Sequence, residues 1–98
     1  MYLINNKKIE ILNSKEYGLS PRTLVGKADN KRIFLIKDRK SRIIMKDGRQ
    51  ILDQIETIKT NSTAINVSLA TNAPICGKTT KLFAENKVEV HQVEKYYV

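Results

Sequence analysis

The central apolar pattern of this chain is a pair of short apolar runs on either side of a polar turn. Apolar β-forming residues dominate 32–37 and 42–46, and the polar residues 38–41 separate them. Two such runs joined by turn residues are typical of a β-hairpin. Because 33–36 is apolar without interruption, we expect this hairpin at the centre of a sheet that is covered on both faces.

The residues before this hairpin predict smaller elements. A first hairpin is expected to pair 2–4 with 9–12 across the Asn-Asn turn 5–6, because asparagine tolerates the backbone of a tight turn. A single helical turn is expected at 14–17. Residues 20–26 suit a short helix, with Ser-Pro at its start and Gly at its end, or a plain loop.

A longer helix is expected after the central hairpin. It should begin at Asp47, with Asp47 as its cap and Gln50 completing a capping box, and end in the poor helix formers 60–63. Apolar residues recur at helical spacing on one face, which predicts a buried stripe. The stripe comprises Ile51, Leu52, Ile55 and Ile58.

The last third of the chain alternates strand, helix and strand. Period-two alternation predicts a strand at 64–70, then a loop at 71–75, a helix at 77–86 closed by Asn86, and a strand at 88–93. Together with 42–46 this order predicts a βαβαβ unit with parallel strands. The expected fold class is therefore α/β, bordering on α+β: a mixed sheet with N-terminal antiparallel hairpins, a βαβαβ unit and two main helices.

Length and composition predict one small domain over residues 1–98. The chain is 41% hydrophobic and 29% charged, which is within the globular range. It has no apolar run long enough for a membrane span and no signal-like N-terminus, so no membrane partner is expected. A single cysteine excludes an internal disulfide, and we expect a reducing, cytoplasmic setting.

The net charge of +8 is concentrated in one part of the chain. Residues 22–49 carry ten Lys or Arg against three Asp, whereas 1–21 and 50–98 are nearly balanced. A local basic patch predicts a polyanion partner, most simply nucleic-acid phosphates; an acidic protein partner is the alternative. The oligomeric state is open. The predicted nucleic-acid-binding residues are Lys31, Arg32, Lys37, Arg39, Lys40, Arg42, Lys46 and Arg49.

A second candidate site surrounds Cys76, which is expected at a helix N-terminus where backbone N–H groups lower a thiol pKa. Residues 66–93 resemble the cysteine loop of arsenate reductases and other thioredoxin-like proteins, without their second cysteine. Residues 72–79 also nearly match the Walker A phosphate loop, with Asn72 in place of its first glycine. The phosphate or thiol candidates are Cys76, Gly77, Lys78 and Thr79.

Residues 42–93 resemble the second half of restriction-endonuclease-like domains, in which a strand carrying a Glu-x-Lys pair precedes helix, strand, helix and strand. Lys46 would match the lysine, while Ile44 takes the place of the metal-binding glutamate and Asp38 is displaced. Since metal-assisted cleavage normally requires two carboxylates, a degenerate, binding-only relative is expected in preference to an enzyme. No catalytic residue, metal or cofactor is assigned, and His91 is expected to be structural or at the surface.

Overall fold

The structure, a computed structural model, describes residues 2–4, 7–29, 32–62 and 66–95. Within these ranges the chain forms six strands, one 3-10 helix (Ser14–Tyr17) and two α-helices. The strands are β1 (Tyr2–Ile4), β2 (Lys7–Leu12), β3 (Leu24–Asp29), β4 (Arg32–Lys37), β5 (Asn66–Thr71) and β6 (Val90–Lys95), and the helices are α1 (Met45–Thr60) and α2 (Gly77–Glu85).

The six strands close into a barrel in chain order. Neighbours are antiparallel from β1 to β4, and β6 closes the barrel on β1 in the same sense. By contrast, β4–β5 and β5–β6 are parallel, with one helix in each connection. The α/β class fits this arrangement, but a sheet closed into a barrel was not predicted.

The predicted central hairpin is wrong in its second strand. β4 is present as expected, yet its antiparallel partner is β3, with Val25 opposite Leu35. Met45 and Lys46 already belong to α1, and Ile43 makes only an isolated bridge to Ile75. The short helix predicted at 20–26 is likewise wrong, because Leu24 starts β3; strand pairing and burial override weak local preference in both places.

The helices follow the predicted pattern more closely. Ile51, Ile55 and Ile58 are buried on one face of α1, as expected. However, α1 begins earlier than predicted: Ile44 is its N-cap, and Asp47 lies three residues inside. Asn86 does not adopt the left-handed conformation, which Lys87 takes instead at φ 58°.

Other predictions are shifted or untested. The last strand covers 90–95, not 88–93, because Val88 bonds back to the end of α2. The predicted turn at 5–6 and the strand start at 64–65 lie outside the described residues. Neither described helix combines the length and apolar character that crossing a membrane requires.

Two apolar cores lie on the two faces of the sheet. Alternation along β4 sends Ile33 and Leu35 to one core and Phe34 and Ile36 to the other. Only the first core contains helix residues, so the helices cover the outside of the barrel and the second core fills its inside. This places the starts of α1 and α2 at the carboxyl ends of the parallel strands.

Candidate nucleic-acid interface

Two connections between strand and helix lie side by side in this structure. We name residues 38–44, between β4 and α1, the first junction, and residues 72–76, between β5 and α2, the second junction. The Ile43 amide donates to the Pro74 carbonyl at 2.8 Å, and the Cys76 amide donates to the Ile43 carbonyl at 3.0 Å. These bonds join the two candidate sites that the sequence kept apart.

Arg39 holds the first junction in shape. Its Nε donates to the carbonyl and hydroxyl of Ser41 at 3.1 and 3.0 Å, and its Nη2 donates to the Arg42 carbonyl at 3.3 Å. The same Nη2 contacts the Asp47 carboxylate at 3.4 Å. The guanidinium is therefore turned toward its own loop, and Arg39 acts by positioning its neighbours.

Asn72 ties the two junctions together at the mouth of the barrel. Its side-chain Oδ1 accepts from the Arg39 backbone amide at 2.9 Å, and its Nδ2 donates to Asp38 at 2.7 Å. The other Asp38 oxygen accepts from the Tyr2 hydroxyl at 3.1 Å. Both oxygens of this carboxylate are thus engaged within the chain.

Asp47, the second acid of this region, is also engaged internally. Its carboxylate accepts from the Ile44 amide at 3.1 Å as well as from Arg39. The backbone N–H of Ile44, followed by the Arg39 guanidinium, lowers the pKa of Asp47 below its ordinary value of 3.8. The carboxylate stays ionised at neutral pH and stabilises the start of α1.

Four of the other cations of segment 37–49 are exposed to solvent. Segment 37–49 holds six Lys or Arg and two Asp, a net charge of +4. Packing of Gly48 against Thr79 brings the start of α1 against the start of α2, where Lys78 is exposed. We name these exposed cations the basic face; it comprises Lys40, Arg42, Lys46, Arg49 and Lys78.

Besides Arg39, two described residues of the sequence-predicted set do not belong to this face. Lys37 is half-buried, and burial followed by the nearby charge of Arg39 lowers its pKa, with Asp47 opposing. Arg32 is exposed at the opposite end of β4, roughly 17 Å from Lys37 along the strand. Lys31 lies outside the described residues.

Cys76 is the N-cap of α2, and its sulfur lies 2.9 Å from the Thr79 hydroxyl. That hydroxyl and the backbone N–H groups of Thr79 and Lys78 lower the thiol pKa below 9.0, with a smaller contribution from Arg42.

The same contacts bear on the phosphate-loop prediction. The Ala73 amide is bonded to the Thr71 hydroxyl and the Cys76 amide to Ile43, so neither is available to an anion. Thr79 is fully buried, and Gly77 is exposed beside open space. Of this candidate group, Lys78 is the residue that the structure adds to the basic face.

The nuclease-like pattern changes register in the structure. The strand that precedes α1 is β4, so Lys37, and not Lys46, occupies the position of the pattern's lysine. Leu35 then takes the glutamate position, and its side chain is fully buried. Among the described residues no group of three or more His, Cys, Asp or Glu could hold a metal ion.

The sequence missed the contact that assembles this surface. Lys78 is 29 positions from Arg49, and no charge pattern links them. The signal that could have found it is the apolar pair Ile43 and Ile75, each of which lies shortly before a helix. Because neither residue is polar, a search for catalytic or binding residues does not select them.

No protein-family model matches this chain, and none of the curated proteins matches it. Among solved structures, EndoMS in its apo form is similar, with a TM-score of 0.63 at 13% sequence identity. The similarity covers 94% of this chain and 38% of the EndoMS chain, so this chain spans well under half the length of that protein. At this identity the likeness shows a shared fold.

Proposed function

We propose that this chain is a binding module that contacts nucleic-acid phosphates through the basic face. The observation that carries the proposal is the pairing of the two junctions at Ile43, which brings the cations of the first junction and of the start of α1 toward Lys78 at the start of α2. Asp38 and Asp47 both accept hydrogen bonds from donors within the chain, and the cations of segment 37–49 outnumber these two acids. A cluster with this excess of positive charge attracts a polyanion.

Backbone contact suits this face better than base stacking. Phe34 and Phe83 are buried, and the Tyr2 hydroxyl is bonded to Asp38 at the barrel mouth. Tyr17 packs against the first core. Exposed Lys and Arg bind phosphates regardless of sequence. The similarity to EndoMS concerns the fold alone. It indicates that this arrangement of strands and helices also occurs within a longer protein.

Binding without cleavage follows from the residue at the nuclease pattern's acidic position. A buried Leu35 cannot supply a carboxylate to a metal, and the acids nearest to Lys37 are engaged elsewhere. We therefore assign recognition, and no reaction, to this surface.

Fluorescence anisotropy with labelled duplex DNA and RNA across about 50 to 200 mM salt tests the proposal. The test variant is Arg42→Glu with Lys78→Glu, one change from each side of the paired junctions. The control, Lys7→Glu with Lys8→Glu, makes the same charge change on exposed residues of β2.

We expect affinity to fall steeply with salt, and the test variant to lose at least about tenfold in affinity and about two units of salt slope. The control should retain most of the affinity. Equal losses in both variants, or binding that is independent of salt, would contradict the proposal. Recovery from cells of a protein complex that survives nuclease and is lost in the test variant would favour an acidic protein partner instead.

A further inference from the structure

A cleft lies on the other side of the second junction from the basic face. It is open to solvent and has a volume of about 540 Å³ between residues 71–75 and residues 90–92 of β6. Pockets that hold small ligands have volumes of this order and combine apolar walls with a few polar groups. The proposed phosphate contacts of the basic face do not use this cleft.

The cleft has an apolar part and a polar part, and no Asp, Glu, Lys or Arg among the described residues lines it. Pro74, Ile75 and Val90 form the apolar part, and Val90 is 43% exposed. Val90 is one of three large hydrophobic side chains that the described part of the chain leaves exposed. Since no Asp, Glu, Lys or Arg lines the cleft, it suits a neutral, flat and partly apolar group.

Three side chains supply hydrogen-bonding groups at the edges of the cleft. Asn72 retains one amide hydrogen after donating to Asp38. The exposed Gln92 side chain makes no hydrogen bond with the described part of the chain. His91 is fixed by Glu89 at 3.3 Å and by an edge contact with the Phe34 ring at 5.4 Å between centroids.

The cleft and the basic face share one wall. Ile75 lines the cleft and is bridged to Ile43, whose neighbour Arg42 belongs to the basic face. Asn72 also lines the cleft and is bonded to the backbone of the first junction. A ligand with a neutral ring and an adjoining anion could therefore reach both surfaces across the second junction.

We propose that the cleft binds the base of a nucleotide while its phosphate lies toward the basic face. Amide side chains read the donor and acceptor edge of a base, and apolar walls cover its faces. The placement of the phosphate at the basic face rests on the proposed function. The binding of the base in the cleft does not depend on it. The nucleotide is either free or an unpaired member of a strand.

NMR titration of the full chain, labelled with ¹⁵N and ¹³C-methyl groups, tests the proposal. The probes are the four nucleoside monophosphates, ribose 5-phosphate and inorganic phosphate, followed by a single strand and its fully paired duplex. We expect shifts at the Val90 methyls and the Gln92 side-chain amide with the nucleotides and not with the two phosphates that lack a base.

Saturation by free mononucleotides identifies a free nucleotide as the ligand. Shifts with the single strand alone identify an unpaired nucleotide, and either result supports the base site. Gln92→Ala should weaken binding about fivefold, as expected for one hydrogen bond. Asn66→Ala, which truncates an exposed amide at the opposite end of β5, should leave binding unchanged.

Two outcomes would overturn the base site. One is the absence of shifts at Val90 and Gln92 with every probe, and the other is equal binding by wild type and Gln92→Ala. In either case salt-dependent duplex binding that still requires Arg42 and Lys78 would leave the proposed function intact, so the two failures are distinguishable.

Discussion

The two junctions have the same place in the fold and opposite chemistry. Each follows a parallel strand and leads into a helix, and the register that pairs Lys37 with Thr71 sets them level. The first junction holds three cations and one acid, whereas the second holds no charged residue. The same backbone arrangement can therefore present a charged surface at one junction and a neutral cleft at the other, with the second junction between them.

The helix caps differ in the same way. At α1 the carboxylate of Asp47 accepts from the Ile44 amide, while at α2 the sulfur of Cys76 lies 2.9 Å from the Thr79 hydroxyl. The Ile44 N–H lowers the pKa of Asp47, and the Thr79 hydroxyl lowers the pKa of Cys76. Their ordinary acid strengths differ, so the two caps are charged over different ranges of pH.

The largest expected effect comes from separating the junctions. Ile43 is fully buried and its backbone carries both bonds to the second junction. Ile43→Ala should lower the free energy of unfolding by about 2–4 kcal/mol through the cavity it leaves. Urea denaturation at neutral pH measures this change.

The neighbouring isoleucine provides a matched control for Ile43→Ala. Ile44 is 49% exposed, so Ile44→Ala should change the free energy of unfolding by less than about 0.5 kcal/mol. Similar losses in the two variants would mean that the paired junctions do not stabilise the fold.

The second prediction concerns the carboxylate cap of α1. Asp47→Ala should cost about 1–2 kcal/mol at neutral pH, because the Ile44 amide and Arg39 both lose an acceptor. Asp53→Ala, an exposed change on the same helix, should cost less than about 0.5 kcal/mol. Urea denaturation of the two variants beside wild type provides the comparison.

The pH dependence of the Asp47 effect follows from its pKa. Because the folded pKa lies below 3.8, the stabilisation is present above the unfolded pKa and is lost as pH falls through the folded one. The difference between wild type and Asp47→Ala should therefore shrink on acidification. A difference that grows in acid would contradict this assignment.

The third prediction distinguishes two roles within the first junction: Arg39 stabilises the fold, and Lys40 contacts phosphate. Arg39→Ala should lower the free energy of unfolding by about 1 kcal/mol, because its guanidinium bonds are internal. Lys40→Ala should leave stability unchanged and reduce the salt slope of DNA binding by about one unit, as expected for one phosphate contact. Urea denaturation and fluorescence anisotropy on both variants test these two roles. A loss of stability in Lys40→Ala together with a reduced salt slope and unchanged stability in Arg39→Ala would contradict them.

The sequence predicted the parts of the fold that local pattern controls. The spacing of Ile51, Ile55 and Ile58 was sufficient to identify α1 and its buried face. Segment 42–46 was misassigned to a strand. Its apolar residues are equally compatible with what the structure shows, an isolated bridge at Ile43 followed by the start of α1. Only the pairing of Ile43 with Ile75, a contact between distant residues, distinguishes these outcomes.

The candidate site was predictable in composition but not in geometry. The cations of 37–49 were visible from the sequence, yet the internal bonds of Arg39 and the arrival of Lys78 depend on tertiary contacts. The cleft left no sequence signal, because Asn72 and Gln92 are ordinary polar residues until the barrel places them together.

The smallest effect at neutral pH is expected at the thiol cap. Because the pKa of Cys76 is lowered from 9.0, its stabilising charge is present above the unfolded pKa and is lost as pH falls through the folded one. The rate of alkylation by iodoacetamide against pH should have a midpoint below 9.0. Thr79→Val should move it upward, since the hydroxyl is the main cause of the shift, whereas Thr80→Val, whose hydroxyl bonds only the Cys76 carbonyl, should not. A midpoint at or above 9.0 in the wild type would show that the start of α2, unlike that of α1, does not stabilise the charge of its capping group.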